Sequence, residues 1–179
     1  MKGQYLGDSY DAVKRLWQEV LAEWAPLHAE PRFIPEDIRN EFTAFTRIPL
    51  LNECRPMFYA ILNDPDTGVR PPNCANQSEG RSHIALPTIR EQLRNAAVQC
   101  VITFDQSNHR EPGLSPKSQR NKKLRWLGHE RLSAFYRSTM FLMPHSCLRS
   151  WIQRRWIWCA ALLGDLECQP IALRGRSDT

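Results

Sequence analysis

No stretch of this chain approaches the ~18–20 consecutive apolar residues that a membrane-spanning helix needs. Lys2 near the amino terminus is followed by no apolar h-region, so no secretory signal is expected there. The six cysteines, Cys54, Cys74, Cys100, Cys147, Cys159 and Cys168, never stand as CxxC, and no histidine lies at a zinc-finger spacing from them. Neither structural zinc nor a disulfide framework is expected, and the thiols are expected to be reduced. No Gly-x-Gly follows an apolar run, which removes the usual close approach to a nucleotide-like cofactor. G-x-S-x-G is absent as well, so Ser107 and His109 do not form a nucleophile elbow. The compartment expected from these absences is the cytoplasm, with no membrane partner.

What is present suits one domain. The chain has 179 residues, 42% of them hydrophobic, enough to build a core. Tyr10, Val13, Trp17, Val20, Leu21 and Trp24 recur at three- and four-residue steps, which predicts a helix over 9–24 capped by Asp8 or Ser9 and stopped by Pro26. Pro35, Glu36 and Asp37 open a second helix over 35–46, with Ile38, Phe42 and Phe45 as its stripe. Residues 57–62 are continuously apolar and end in Asn63-Asp64-Pro65-Asp66-Thr67-Gly68, which reads as a buried strand running into a turn. A loop over 69–82, a short strand over 83–86 and a helix over 87–97 follow. Residues 98–104 form a second β-branched strand, again ending in aspartate at Asp105. A basic helix is expected over 117–131 and a third strand over 133–143. Alternation of strand and helix after residue 57 predicts an α/β domain over 1–143, a small doubly wound, mostly parallel sheet with flanking helices.

The chemistry-bearing residues gather at the strand ends. Asp64 and Asp66 follow one strand and Asp105 the next. If those strands are parallel neighbours, all three lie at the sheet edge where open α/β folds take ligands. A third acidic loop, Gly7-Asp8-Ser9-Tyr10-Asp11, opens the first helix. Converging carboxylates suit a hard cation, Mg or Mn, which would activate water and meet substrate phosphate. Asp64, Asp105, Asp66, Asp8 and Asp11 are therefore the candidate metal ligands. Beside that role, Asp8 reads as a helix cap and Asp66 as a turn residue.

The net charge is +5, and Arg110, Lys117, Arg120, Lys122, Lys123, Arg125 and Arg131 fall close together. Lys122, Lys123 and Arg125 are the candidate contacts to phosphate or nucleic acid. The alternative for this stretch is a solvated helix face. Three functional readings follow. One is a metal-dependent domain acting on a phosphate ester or nucleic acid. Another is a non-catalytic nucleic-acid or partner-binding module. The third is a methyltransferase-like domain that takes S-adenosylmethionine.

Three blocks, Tyr5-Leu6-Gly7-Asp8-Ser9-Tyr10-Asp11, Asp64-Pro65-Asp66-Thr67-Gly68 and Phe104-Asp105-Gln106-Ser107, resemble a group of uncharacterised bacterial proteins that share them in this order, over residues 1–135. More distantly the chain looks like Rossmann-type methyltransferase-related proteins, through Asn63-Asp64-Pro65-Asp66 after a strand. The second proline and the aromatic of their Asp-Pro-Pro-aromatic loop are missing here. The resemblance stops near Tyr136. Residues 144–179 form a tail in which Trp151, Trp156 and Trp158 stand beside Arg149, Arg154 and Arg155. That composition is typical of a GC-rich gene read out of frame, and a frame change is expected near residues 136–140. The alternative is an amphipathic helix with Leu148, Ile152, Trp156 and Cys159 on one face. A shifted frame would make the product non-functional.

Overall fold

The computed structural model describes residues 6–23, 25–51, 56–70, 80–105, 113–128, 133–136 and 139–142. The chain opens with α1 (Ser9–Leu21), which begins where Asp8 Oδ1 accepts from the amides of Tyr10 (2.8 Å) and Asp11 (3.1 Å). Those are two of the donors a helix leaves open at its start. β1 (Leu27–Ala29) comes next. The helix expected over 35–46 is instead a 3₁₀ turn (Glu36–Ile38) running into α2 (Arg39–Thr46). The Arg39 guanidinium reaches back to the carbonyls of Pro31 (3.1 Å) and Ile34 (3.3 Å) and ties down the approach.

β2 (Tyr59–Asn63) is the first expected strand, shifted inward because Met57 and Phe58 are exposed. Within the expected loop, β3 (Gly68–Arg70) pairs in parallel with β4 (His83–Ala85) as a separate two-stranded sheet. α3 (Leu86–Arg94) and β5 (Val98–Phe104) follow, the latter with the bounds its β-branched run predicts. α4 (Pro116–Leu127) starts at Ser115, whose Oγ accepts from the Ser118 amide, and stops at Gly128 in the left-handed region (φ 72°). The strand expected over 133–143 is two strands, β6 (Ser133–Tyr136) and β7 (Thr139–Leu142), antiparallel to each other.

The main sheet has the order β1-β2-β5-β7-β6. β1, β2 and β5 are parallel, and β7 runs antiparallel to β5 and β6. The fold is thus α/β with a mixed sheet flanked by helices. Residues of β2 and β5 alternate between the two faces, except that the register shifts after the Tyr59–Val98 pair, so Val98 falls on the same face as Val101. Ala60, Leu62, Cys100 and Ile102 pack beneath Trp17 and Leu21 of α1 and Phe42 of α2. Tyr59, Ile61, Val98 and Val101 pack with Ile89 and Leu93 of α3 and with Leu124 and Leu127 of α4. Covering both faces explains why β2 reads as continuously apolar rather than alternating. Cys100, the cysteine among the described residues, is buried as a thiol outside any disulfide.

Among the described residues no helix is long and apolar enough to cross a membrane. The last described strand, β7, ends at Leu142. The tail expectation, residues 144–179, lies outside the described residues.

Candidate functional site

β2 and β5 are hydrogen-bonded parallel neighbours with Asn63 opposite Thr103, so Asp64 and Asp105 leave the sheet at the same edge. The strand ends are fixed from below by side-chain amides. Asn63 Nδ2 donates to Gln92 Oε1 (2.8 Å) and Thr103 Oγ1 (3.2 Å), and Gln92 Nε2 donates back to Asn63 Oδ1 (3.0 Å). A buried polar group that meets its partners in this way holds its position.

On one side of the sheet α1 brings Lys14 to Asp64. Lys14 falls between Tyr10 and Trp17 at i+4 and i−3 spacing, so it points into the apolar stripe and is only 4% exposed. Its Nζ donates to Asp64 Oδ2 (2.7 Å) and Asp11 Oδ1 (2.9 Å). The ammonium also lies 5.7 Å from the centre of the Tyr10 ring and 5.8 Å from that of Phe42, within range of both π faces. Burial alone pushes this ammonium toward losing its proton. The opposing attraction of Asp64, then of Asp11, outweighs burial and holds the group above the ordinary lysine range. Lys14 is therefore a fixed positive charge. Asp11 is anchored in turn, its Oδ2 accepting from the Gly7 amide (2.7 Å), where Gly7 has a φ of 79°. Glycine enters that left-handed region without the strain a Cβ imposes.

On the other side of the sheet α4 brings Lys123 to Asp105. Lys123 Nζ donates to Oδ1 (2.8 Å) and Oδ2 (2.6 Å), and the Val69 amide of β3 also donates to Oδ1 (3.0 Å). One carboxylate, 1% exposed, thus joins β3, β5 and α4. Beside the Asp64 centre, the Tyr10 hydroxyl is hydrogen-bonded to Thr139 of β7. Its ring meets Phe104 edge-on at 5.4 Å and Trp17 at 6.0 Å.

The expected site residues therefore sort into two centres. Asp11 and Asp64 meet through Lys14, and Asp105 meets Lys123. Asp8 is exposed and caps α1. Asp66 is half-buried, and its amide donates to the carbonyl of Arg81 ahead of β4 (3.3 Å). Of the expected phosphate contacts, Lys122 lies 5.3 Å from the Trp126 ring centre, Lys123 is buried against Asp105, and Arg125 is exposed. Among the described residues no three His, Cys, Asp or Glu side chains are grouped as a metal site.

Lys14, Asn63, Gln92 and Thr103 are absent from the sequence-based site. For Lys14 a signal existed, a charge at helical spacing inside an apolar stripe. Comparison with family models, with curated proteins and with solved structures finds no match in any of the three.

Proposed function

We propose that the chain binds and acts on a phosphate-containing ligand, a phosphate ester or nucleic acid, at the carboxyl edge of β2 and β5, with a divalent cation as the bridge. The supporting observation is the placement of Asp64 and Asp105 at the ends of neighbouring parallel strands, the edge where open α/β sheets take ligands. Mg²⁺ and Mn²⁺ use one or two carboxylates and complete their shell with water and phosphate oxygens. Asp64 is the principal ligand in this reading and Asp66 its nearest auxiliary in sequence. Asp105 is the anchor that holds β3 and α4 in place, and Asp11 and Asp8 order the start of α1. A bound cation would lower the pKa of its water and take up charge developing on a phosphoryl oxygen.

Mn²⁺ titration by calorimetry tests this in the wild type, Asp64→Asn and Asp66→Asn, with the fold of each checked by circular dichroism. The expected result is saturable binding that weakens at least tenfold in Asp64→Asn. A wild-type protein that takes up neither Mn²⁺ nor Mg²⁺ at millimolar concentration ends the reading. A parallel melt with S-adenosylmethionine tests the methyltransferase-like alternative. A second reading, non-catalytic nucleic-acid binding along α4, is favoured by the exposure of Arg125 and the partial exposure of Lys122. It requires affinity that falls steeply with salt and does not change in Asp64→Asn.

A further inference from the structure

The two helices that cover the Val101 face of the sheet, α3 and α4, pack against each other and turn Ile89, Leu93, Leu124 and Leu127 toward that face. Between them they carry seven Lys/Arg and one Asp/Glu, whereas α1 and α2 on the opposite face carry three of each. The fold thus puts its positive excess on one side of the sheet. Lys123 is withdrawn from that surface by Asp105. Arg90, Arg94 and Arg125 are exposed, and among the described residues none of the three has an ion pair. On the opposite face Arg15 pairs with Glu19 (3.3 Å) and Arg39 with Glu36 (3.9 Å). A guanidinium held at the surface without a carboxylate is open to an anion from outside.

We propose that the exposed sides of α3 and α4 form one docking surface for the phosphate backbone of duplex nucleic acid. The inference rests on the second reading above and carries it beyond α4, onto Arg90 and Arg94 and away from Lys123. Arg90 and Arg94 stand four residues apart, which puts their Cβ atoms about 5–6 Å apart on one flank of α3. Each side chain can then take its own phosphate, and the planar fork of a guanidinium matches two phosphate oxygens at once. Lys122, half-buried over Trp126, adds a point charge on the same helix as Arg125. Glu91, also exposed on α3, works against the anion. A lipid surface fits this face less well, because an interfacial helix presents apolar side chains outward. Among the described residues of α3 and α4 no large apolar side chain is exposed. Contacts of this kind hold the backbone and carry no base information, so the binding is independent of sequence.

The test measures binding of a short labelled DNA duplex to the full chain by fluorescence anisotropy across a salt series. EDTA is present so that no divalent cation contributes, and each variant is checked for a wild-type melt. The wild type is expected to bind duplexes of unrelated sequence equally, with log affinity falling linearly with log salt. Arg90→Gln/Arg94→Gln is expected to make that slope shallower by about 1.8, at about 0.9 for each lost phosphate contact, and Arg125→Gln by about 0.9. Glu91→Gln is expected to bind more tightly than the wild type. Arg15→Gln/Arg47→Gln removes the same charge from the opposite side and is expected to leave the slope unchanged. A slope reduced in Arg125→Gln but kept in the α3 double variant confines binding to α4, which overturns the two-helix surface and leaves the second reading standing. Equal losses in the two double variants reveal a net-charge effect and overturn the proposal. Displacement of the duplex by poly-glutamate as readily, charge for charge, as by unlabelled duplex also overturns it and assigns the surface to an acidic protein. No duplex binding by the wild type at low salt rejects both the surface and the second reading.

Discussion

Replacing Lys123 by Met would leave the Asp105 carboxylate, 1% exposed, without its ammonium while keeping a side chain of similar length. Breaking one half of a buried ion pair typically costs about 3–5 kcal/mol. A lone buried carboxylate can escape by taking up a proton. At pH 7 that costs about 1.4 kcal/mol for each of roughly three pH units, so the loss is capped near 4 kcal/mol. For a chain of this size such a loss lowers the melting temperature by roughly 6–20 °C. The same cap shrinks to about 1.5 kcal/mol near pH 5, so the gap between wild type and Lys123→Met narrows as pH falls. Asp105→Asn instead removes the carboxylate charge beside the Lys123 ammonium and is expected to cost a similar amount. The double variant should recover to within about 1 kcal/mol of the wild type, because a whole buried pair is often replaced without loss. The carboxamide oxygen introduced by Asp105→Asn would still be placed to accept from the Val69 amide, which donates to Asp105 Oδ1 in the native chain (3.0 Å). Urea unfolding of the four proteins, compared at equal m, measures this as a double-mutant cycle. A loss below about 1 kcal/mol in Lys123→Met, with the double variant equal to the sum of the singles, would show that the pair is solvated and that the reasoning fails.

Arg47 ends α2 with φ 58°, and glycine adopts that left-handed conformation without a Cβ clash, so Arg47→Gly should raise stability by about 0.5–1 kcal/mol in a urea melt. Ile102 is fully buried at the centre of β5, so Ile102→Ala should lower stability by about 2–5 kcal/mol, read as a reduced urea midpoint. The raised pKa of Lys14 means that its contribution is fully present below the ordinary lysine range and is lost only as pH climbs through the raised value. Between about pH 7 and 9 its titration should leave the melting temperature unchanged. An alkaline loss within that window that disappears in a folded Lys14→Arg variant would contradict the fixed-charge assignment.

How much of this was legible in the sequence depends on how local each feature is. β5 shows plainly because Val98, Val101, Ile102 and Phe104 give a long β-branched and aromatic run between turn signals. β1 does not show, because Leu27-His28-Ala29 is too short to carry a period and sits between Pro26 and Pro31. Its strand character comes from pairing with Ala60, Ile61 and Leu62, which is tertiary. β3 is hidden in the same way, and so is the reversal between β6 and β7. Arg137-Ser138 carries none of the Asn-Gly or Asp-Gly chemistry that marks a two-residue hairpin.

The candidate site divides along the same line. Aspartate after an apolar strand is a local signal, and Asp64 and Asp105 carry it. Their lysine partners are not local, since Lys14 lies fifty residues before Asp64 and Lys123 eighteen after Asp105. Read as a pattern, Lys123 belongs to a basic run and points to phosphate. In the fold it is the α4 residue turned toward the sheet, 5% exposed, while its neighbour Lys122 stays half-buried over Trp126. Hydrophobic periodicity assigns a helix face by its apolar members and treats a lysine among them as noise. At Lys14 the lysine marks the place where a neighbouring strand offers a carboxylate. Reading the exceptions to periodicity, rather than the period alone, would have paired Lys14 with an acid before the fold was known, and Asp11 at i−3 was the acid within reach.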